Sequence, residues 1–233
     1  NKWDKFVKEL DKEEEEEEKM KNQKKEMEKQ KQEKEEQNLL RQANIDKSKE
    51  IGTLLSREEG KTLPEGIGEV VRSGQQFQYY AASALRQFGE NIASTREGVS
   101  VELTREPIGV CGIISPWNFP IAIAAWKAAP AMAFGNAIVL KPASQTPASA
   151  IALTKIISEQ KDIPEGLFNL VLGGGGTIGH QISEHKNINA ISFTGSVNVG
   201  QTIYKEAAKT MKKMQLEMGS KNPLLIMDDA DLE

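Results

Sequence analysis

The chain has 233 residues, room for one large domain or two small ones, and its hydrophobic content of 38% with a mean hydropathy of -0.49 is low for such a length. The shortfall is local: residues 1–37 carry 14 acidic and 11 basic side chains, whereas the rest carries 20 and 19 and shows none of the basic bias that tracks nucleic-acid backbones. One cysteine, Cys111, excludes an intrachain disulfide, and neither a membrane-length apolar run nor an apolar signal core is present, so the reading is a cytoplasmic protein with no nucleic-acid or membrane partner.

Residues 11–36 are almost entirely Lys, Glu and Gln, with Met20 and Met27 the only hydrophobes. A coiled coil needs apolar a and d positions, and these are missing. Residues 1–37 therefore read as a charged low-complexity tail, a solvated helix or disorder, with an interaction tail as the alternative. From Leu39 the texture changes. Ile51–Ser56 and Val70–Leu85 have helical spacing, punctuated by Gly60 and Pro64.

A repeating pattern follows. Strands are expected at Ile108–Ile114, Ala137–Leu140, Phe168–Leu172, Ala190–Phe193 and Leu224–Met227. Helices are expected at Ile121–Phe134, Thr146–Glu159, Thr177–His185 and Val197–Lys209. Short apolar strands alternating with helices make a parallel sheet covered on both faces, an α/β, doubly wound, Rossmann-like domain. We place it at 38–220, with 221–233 opening a second domain. Ligands of such sheets bind outside the carboxyl ends of the strands. That rule selects Ser115–Pro120, Lys141–Thr146, Gly173–Gly176 and Thr194–Gly200.

Each stretch holds unusual residues. Gly195 and Gly200 flank a helix start, where free N–H groups favour a phosphate, although the spacing also fits a plain turn. Four consecutive glycines, Gly173–Gly176, exceed what a turn needs and suit close approach of a ring or phosphate. Lys141 ends a strand, where it can reach a ribose or phosphate or serve as an ordinary surface lysine. Two prolines bracket Trp117, Asn118 and Phe119; so rigid a loop suits a fixed amide donor for an oxyanion, or a packed corner. Glu217 lies between Leu216 and Met218, neighbours that would strip water from a general base, or it is a surface glutamate. Cys111 reads as a small core hydrophobe. His180 and His185 have no metal-ligand spacing, and no metal is expected.

Pro116-Trp-Asn-Phe-Pro, Lys141-Pro-Ala-Ser, Phe193-Thr-Gly-Ser with Gly200, and Leu216-Glu-Met-Gly-Ser-Lys together resemble the aldehyde dehydrogenase superfamily. The resemblance runs over residues 47–233 and leaves 1–37 outside. It implies an NAD- or NADP-binding domain and an aldehyde substrate, in a parent enzyme that is a homo-oligomer. It implies that Asn118 holds the oxyanion of a thiohemiacetal and that Glu217 activates the water that hydrolyses the thioester. Lys141 would contact the adenosine ribose. Ser115, Trp117, Gly195, Ser196 and Gly200 would line the phosphate side, and Gly175 and Gly176 the adenine. Phe119, Ile123 and Trp126 would face the aldehyde tunnel. The nucleophilic cysteine would lie beyond Glu217, in a catalytic domain truncated here.

Two departures stand out. Ser220 replaces the family's usual second glycine. Ser144 stands where NAD-preferring members carry glutamate, which removes a charge that repels a 2′-phosphate. Ser56-Arg-Glu-Glu-Gly-Lys-Thr-Leu-Pro-Glu, Gly89-Glu-Asn-Ile and Thr104-Arg-Glu-Pro-Ile-Gly-Val most resemble 2,5-dioxopentanoate (α-ketoglutaric semialdehyde) dehydrogenases. Two other readings remain compatible with the residues: a nucleotide-binding product without catalysis, and an interaction protein built on the charged tail.

Overall fold

A computed structural model describes residues 25–26, 28–29, 46–86 and 89–231. Most of the charged segment 1–37 therefore lies outside the described residues. The chain divides into two units, Asn1–Lys49 and Glu50–Glu233. In the first, residues 25–26 and 28–29 are helical and exposed.

The second unit begins within helix α1 (46–59), followed by α2 (Leu63–Ala84) and a two-stranded antiparallel hairpin, β1 (Glu90–Ala93) and β2 (Ser100–Leu103). Then come β3 (Val110–Ile114), α3 (Ala122–Ala133), β4 (Ala137–Lys141), α4 (Pro147–Ser158) and β5 (Phe168–Leu170). A π-helical turn, Gly175–Gly179, runs into α5 (His180–Glu184), and β6 (Ala190–Gly195), α6 (Val197–Ala208) and β7 (Lys213–Met218) complete the unit. β3 to β7 form one five-stranded parallel sheet in the order β5-β4-β3-β6-β7. The doubly wound α/β expectation is met.

Strand alternation sends successive side chains to opposite faces. Ile113, Ile138 and Leu140 meet Ala124 and Ala128 of α3 and Ala150, Leu153 and Ile157 of α4. Ile114, Ile191 and Phe193 meet Ile182 of α5 and Ile203 and Ala207 of α6. A third cluster joins Ile51 and Leu55 of α1 to Ile121, with Val70 of α2 and Ala152 and Ile156 of α4 against it.

Two expectations fail, and one pair of strands was not expected. Leu224–Met227 has no regular structure and is exposed; the last strand is Lys213–Met218, in which Met214, Leu216 and Met218 alternate inward. The hairpin β1–β2 was not foreseen, because all eight of its residues are exposed and no buried face imposes a pattern. The stretch Thr177–His185 is not one α-helix. It begins as a wide turn in which the Gly174 carbonyl accepts from the amides of Thr177, Ile178 and Gly179, since glycine-rich backbone has little preference for α geometry.

The α3–β4 corner is held by a satisfied buried amide. Gly135, at φ +79°, takes the left-handed position after the helix. Asn136, 7% exposed, accepts from the amides of Ile108 (2.7 Å) and Gly109 (3.0 Å) and donates to the carbonyls of Ala131 (3.1 Å) and Phe134 (3.3 Å). Asn136→Ala removes the side-chain partner of the Ile108 and Gly109 amides and of the Phe134 carbonyl, while the Ala131 carbonyl keeps the backbone amide of residue 136, and a loss of about 2–3 kcal/mol is expected in urea unfolding. A change within about 0.5 kcal/mol would show that the corner holds without it.

Candidate active site

The strand order reverses between β3 and β6: β3, β4 and β5 step one way, and β6 returns to the other side of β3. Parallel sheets open a crevice at such a point, outside the carboxyl ends. Ser115 follows β3 there, Gly195 ends β6 and Ser196 follows it. The Ser115 amide donates to the Lys141 carbonyl (3.1 Å), while its hydroxyl is buried and has no partner among the described residues. An orphaned buried hydroxyl at a switch point fits a polar ligand.

Lys141 ends β4 with only 3% of its surface exposed; burial lowers its pKa from the ordinary value. Its ammonium donates to the Pro142 carbonyl (2.7 Å), and its stem passes beside Gly179 of the glycine-rich turn. Ser144 donates to the Gly173 carbonyl (3.3 Å), tying the β4–α4 loop to the start of that turn. Between these two loops lies a cavity of about 220 Å³, lined by Pro142, Ala143, Ser144, Pro147, Leu172, Gly173 and Gly174. A buried cation beside an open, largely apolar cleft suits a nucleoside.

The glycines divide into two kinds. A Cβ on Gly175 or Gly176 would meet nothing within 4 Å, so the fold itself leaves this space open. A Cβ on Gly195 would lie 2.5 Å from the Phe193 ring, and one on Gly200 would strike the side chain of Met218. Gly195 and Gly200 thus lie against the side chains of Phe193 and Met218, whatever they offer a phosphate. Ser196 caps α6 by accepting from the Val199 amide (3.4 Å).

In the loop between β3 and α3, Trp117 (53%), Phe119 (45%) and the nearby Trp126 of α3 (42%) are exposed, as is Asn118. Ile123, at 8%, is covered within the unit and does not share that exposed surface. Glu217 sits on β7 in register with Thr194 of β6, at the carboxyl edge. Its strand is two spacings from β3, roughly 10 Å. Leu216 and Met218 point to the opposite face, so they do not cover the carboxylate, which is exposed. The expected stripping of its water is not produced by its neighbours in sequence.

One polar residue in this region escaped the sequence reading. Lys127, the single charge in α3, donates to the Ser192 hydroxyl (2.8 Å) and to Gln215 Oε1 (2.9 Å); Ser192 also donates to Gln215, whose amide donates to Glu217 Oε1 (3.0 Å). A continuous polar path therefore joins α3 to Glu217. Burial pushes Lys127 down from 10.5 to about 8, against the opposing field of Glu217. The available signal was a lone lysine in an alanine-rich apolar helix.

The aldehyde dehydrogenase family model matches residues 9–233. The chain belongs to the aldehyde dehydrogenase family. The match enters the charged segment, upstream of residue 47, and so corrects the extent read from motifs. The α-ketoglutaric semialdehyde dehydrogenase of Bacillus subtilis (strain 168) is 46% identical over 201 residues, 84% of this chain and 41% of that protein. The 2,5-dioxopentanoate dehydrogenase of Saccharolobus solfataricus is 42% identical over 188 residues, 80% of this chain and 39% of that protein. A crystal structure of a betaine aldehyde dehydrogenase variant from Staphylococcus aureus in complex with NAD+ superposes with a TM-score of 0.77 at 36% identity, over 82% of this chain and 38% of that one. This aldehyde dehydrogenase chain thus spans about two fifths of the length of the relatives it matches. No helix among its described residues is long and apolar enough to cross a membrane, and among them no cluster of three or more potential ligands could hold a metal ion.

The lowered pKa of Lys127 has a signed consequence. Between about 8 and 10.5 the unfolded chain binds the proton that the folded chain has released, so stability rises with pH across that window. Relative to Lys127→Met, the parent should gain stability from pH 8 to 10.5, by an amount reduced by the solvent that reaches the amine. Paired urea titrations check this, and a difference that stays flat with pH would place the amine in water.

Proposed function

We propose that this chain forms the nucleotide-binding part of an NAD(P)-dependent aldehyde dehydrogenase that oxidises a semialdehyde of the 2,5-dioxopentanoate kind to a carboxylate through a cysteine thioester. The observation that carries the proposal is the shared carboxyl edge. Lys141, the open Gly175–Gly176 turn, Asn118 and Glu217 arrive there from four different loops and strand ends. The names of the semialdehyde dehydrogenases it resembles supply the substrate class.

In this reading NAD(P), when bound, supplies the hydride acceptor. Lys141 and Ser144 hold its ribose, Gly175 and Gly176 border its adenine, and Ser115, Trp117, Ser196 and the backbone at Gly195 line its phosphates. Asn118 donates from its side-chain amide to the oxyanion as the nucleophile attacks the aldehyde carbonyl, a fixed donor aimed where charge develops. Phe119 and Trp126 give the aldehyde an apolar wall. Glu217 takes a proton from the water that cleaves the thioester. In the complete protein we place this domain in the cytoplasm and in a homo-oligomer.

The nucleophile is assigned to a part of the protein outside this chain. Cys111 is the second residue of β3, paired with Ile138 on one side and Ala190 on the other, three residues short of the strand's carboxyl end, a distance of roughly 10 Å. Burial pushes its thiol pKa up, away from the thiolate a nucleophile needs. The purified chain should therefore show no NAD(P)-linked oxidation of semialdehydes. Turnover that survives Cys111→Ala would overturn the assignment.

Ser144 lines the cleft assigned to the nucleoside, three residues after Lys141. A 2′-phosphate gains that cation and meets a hydroxyl in place of a carboxylate. In the full-length protein, Ser144→Glu should lower the NADP/NAD ratio of kcat/KM ten- to thirtyfold, about 1–2 kcal/mol after screening. An unchanged ratio would mean that the side chain at 144 does not face the ribose.

A further inference from the structure

The Pro116–Pro120 loop carries Asn118 on an exposed surface, yet two side chains from outside it hold the loop at two points and the start of α3 at two more. α3 has no cap of its own: Ile121 stands at its N-cap position and offers no side-chain acceptor. The cap comes from Glu69 of α2, which is 5% exposed; its Oε1 accepts from the amides of Ile121 (2.9 Å) and Ala122 (3.0 Å). The other oxygen, Oε2, receives the Lys61 ammonium at 2.7 Å. Lys61 in turn donates to the carbonyl of Asn118 (2.9 Å) and lies 4.1 Å from the centroid of the Phe119 ring. One ion pair therefore touches residues 118, 119, 121 and 122.

We propose that Lys61 and Glu69 are positioning residues for Asn118; the proposal rests on the reading of Asn118 as oxyanion donor. Lys61 acts on the backbone. By fixing the Asn118 carbonyl it fixes the plane of the peptide that follows, and with it the direction in which the Asn118 side chain leaves the chain. The side-chain amide itself makes no hydrogen bond among the described residues and stays available to a ligand. Glu69 fixes the other end of the loop, where the chain enters α3, and occupies the positive helix terminus that an anion would otherwise seek. An oxyanion donor held from the backbone keeps its geometry without enclosure by neighbouring side chains, which this exposed loop lacks. Misplacement of such a donor by an ångström is enough to cost a large factor in rate.

Glu69 is the more deeply buried partner, and Lys61 also lies 3.7 Å from the Glu59 carboxylate, so Lys61→Met leaves a buried carboxylate without its cation whereas loss of Glu69 leaves Lys61 beside Glu59. Glu69→Ala removes the helix cap and threatens folding, whereas Lys61→Met leaves the cap in place. The test has two arms. In the 233-residue chain, backbone relaxation and amide exchange by NMR read the loop. Lys61→Met should increase motion at residues 117–119 while leaving protection of the Ile121 and Ala122 amides within about twofold, and Glu69→Gln should raise exchange at those two amides about tenfold or more. An unaltered loop in both variants overturns the clamp.

In the full-length protein, Lys61→Met should lower kcat about tenfold or more with the KM for cofactor unchanged. Lys61→Arg, which keeps the charge, should retain kcat within about threefold. In an Asn118→Ala background, Lys61→Met should cost nothing further, because its effect runs through the missing amide. Losses that simply multiply show that Lys61 acts elsewhere and overturn the positioning role. If Asn118→Ala lowers kcat and Lys61→Met does not, the positioning role alone falls. If Asn118→Ala leaves kcat intact, the oxyanion reading falls first, and the positioning role with it.

Discussion

β3 is hydrogen-bonded on both sides, parallel to β4 and parallel to β6, and the rest of the structure depends on that double pairing. Right-handed crossovers that step away from β3 in opposite directions place their helices on opposite faces, and a parallel sheet is stable only with both faces covered. α3 and α4 cover one face, α5 and α6 the other. The chain must reverse its direction of winding at β3, and the reversal leaves the crevice in which Ser115, Gly195 and Ser196 lie. The crevice is thus confined to one edge by the way the sheet closes.

At that edge the helix N-termini are used unequally. Two are filled by carboxylates reaching in from the preceding helices. Glu69 of α2 caps α3, and Glu58 of α1 accepts from the amides of Ala148 (2.5 Å) and Ser149 (3.0 Å) and from the Ser149 hydroxyl at the start of α4. Those carboxylates neutralise the positive ends of both dipoles. α6 starts instead on Ser196, an uncharged cap, and the turn at Gly175–Gly179 begins with open space. Neither α6 nor that turn has an acidic residue in its first turn. The helical pair α1–α2 therefore does more than cover apolar surface: it supplies the carboxylates that cap α3 and α4.

Much of the fold was legible in the sequence, because buried parallel strands and the helices between them are written in apolar period. Ile113, Ile138, Leu140, Ile191 and Phe193 fall where the pattern put the core. β7 was legible as well: Met214, Leu216 and Met218 alternate with Lys213, Gln215 and Glu217, a period of two that was passed over for the motif around Glu217. The hairpin β1–β2 was not, since a strand pair exposed on every residue carries no buried-face signal.

The sequence by itself determined the chemistry on offer: an asparagine in a proline-bracketed loop, a lysine ending a strand, a glycine-rich turn and a glutamate near the last strand, in an order that marks the family. Tertiary structure decided what each is worth. Gly195 and Gly200 read like Gly175 and Gly176 in one dimension, yet a Cβ on the first pair would press on Phe193 or Met218, whereas one on the second meets nothing within 4 Å among the described residues. Glu217 has apolar neighbours in sequence, but strand alternation turns them away and brings Gln215, Ser192 and Lys127 into its path. Lys61 and Glu69 sit 57 and 52 residues from the groups they hold at Asn118 and Ile121. Local pattern carries periodicity and residue type; it carries no record of which distant side chain completes a hydrogen bond, because that pairing exists only once the sheet and its covering helices have closed.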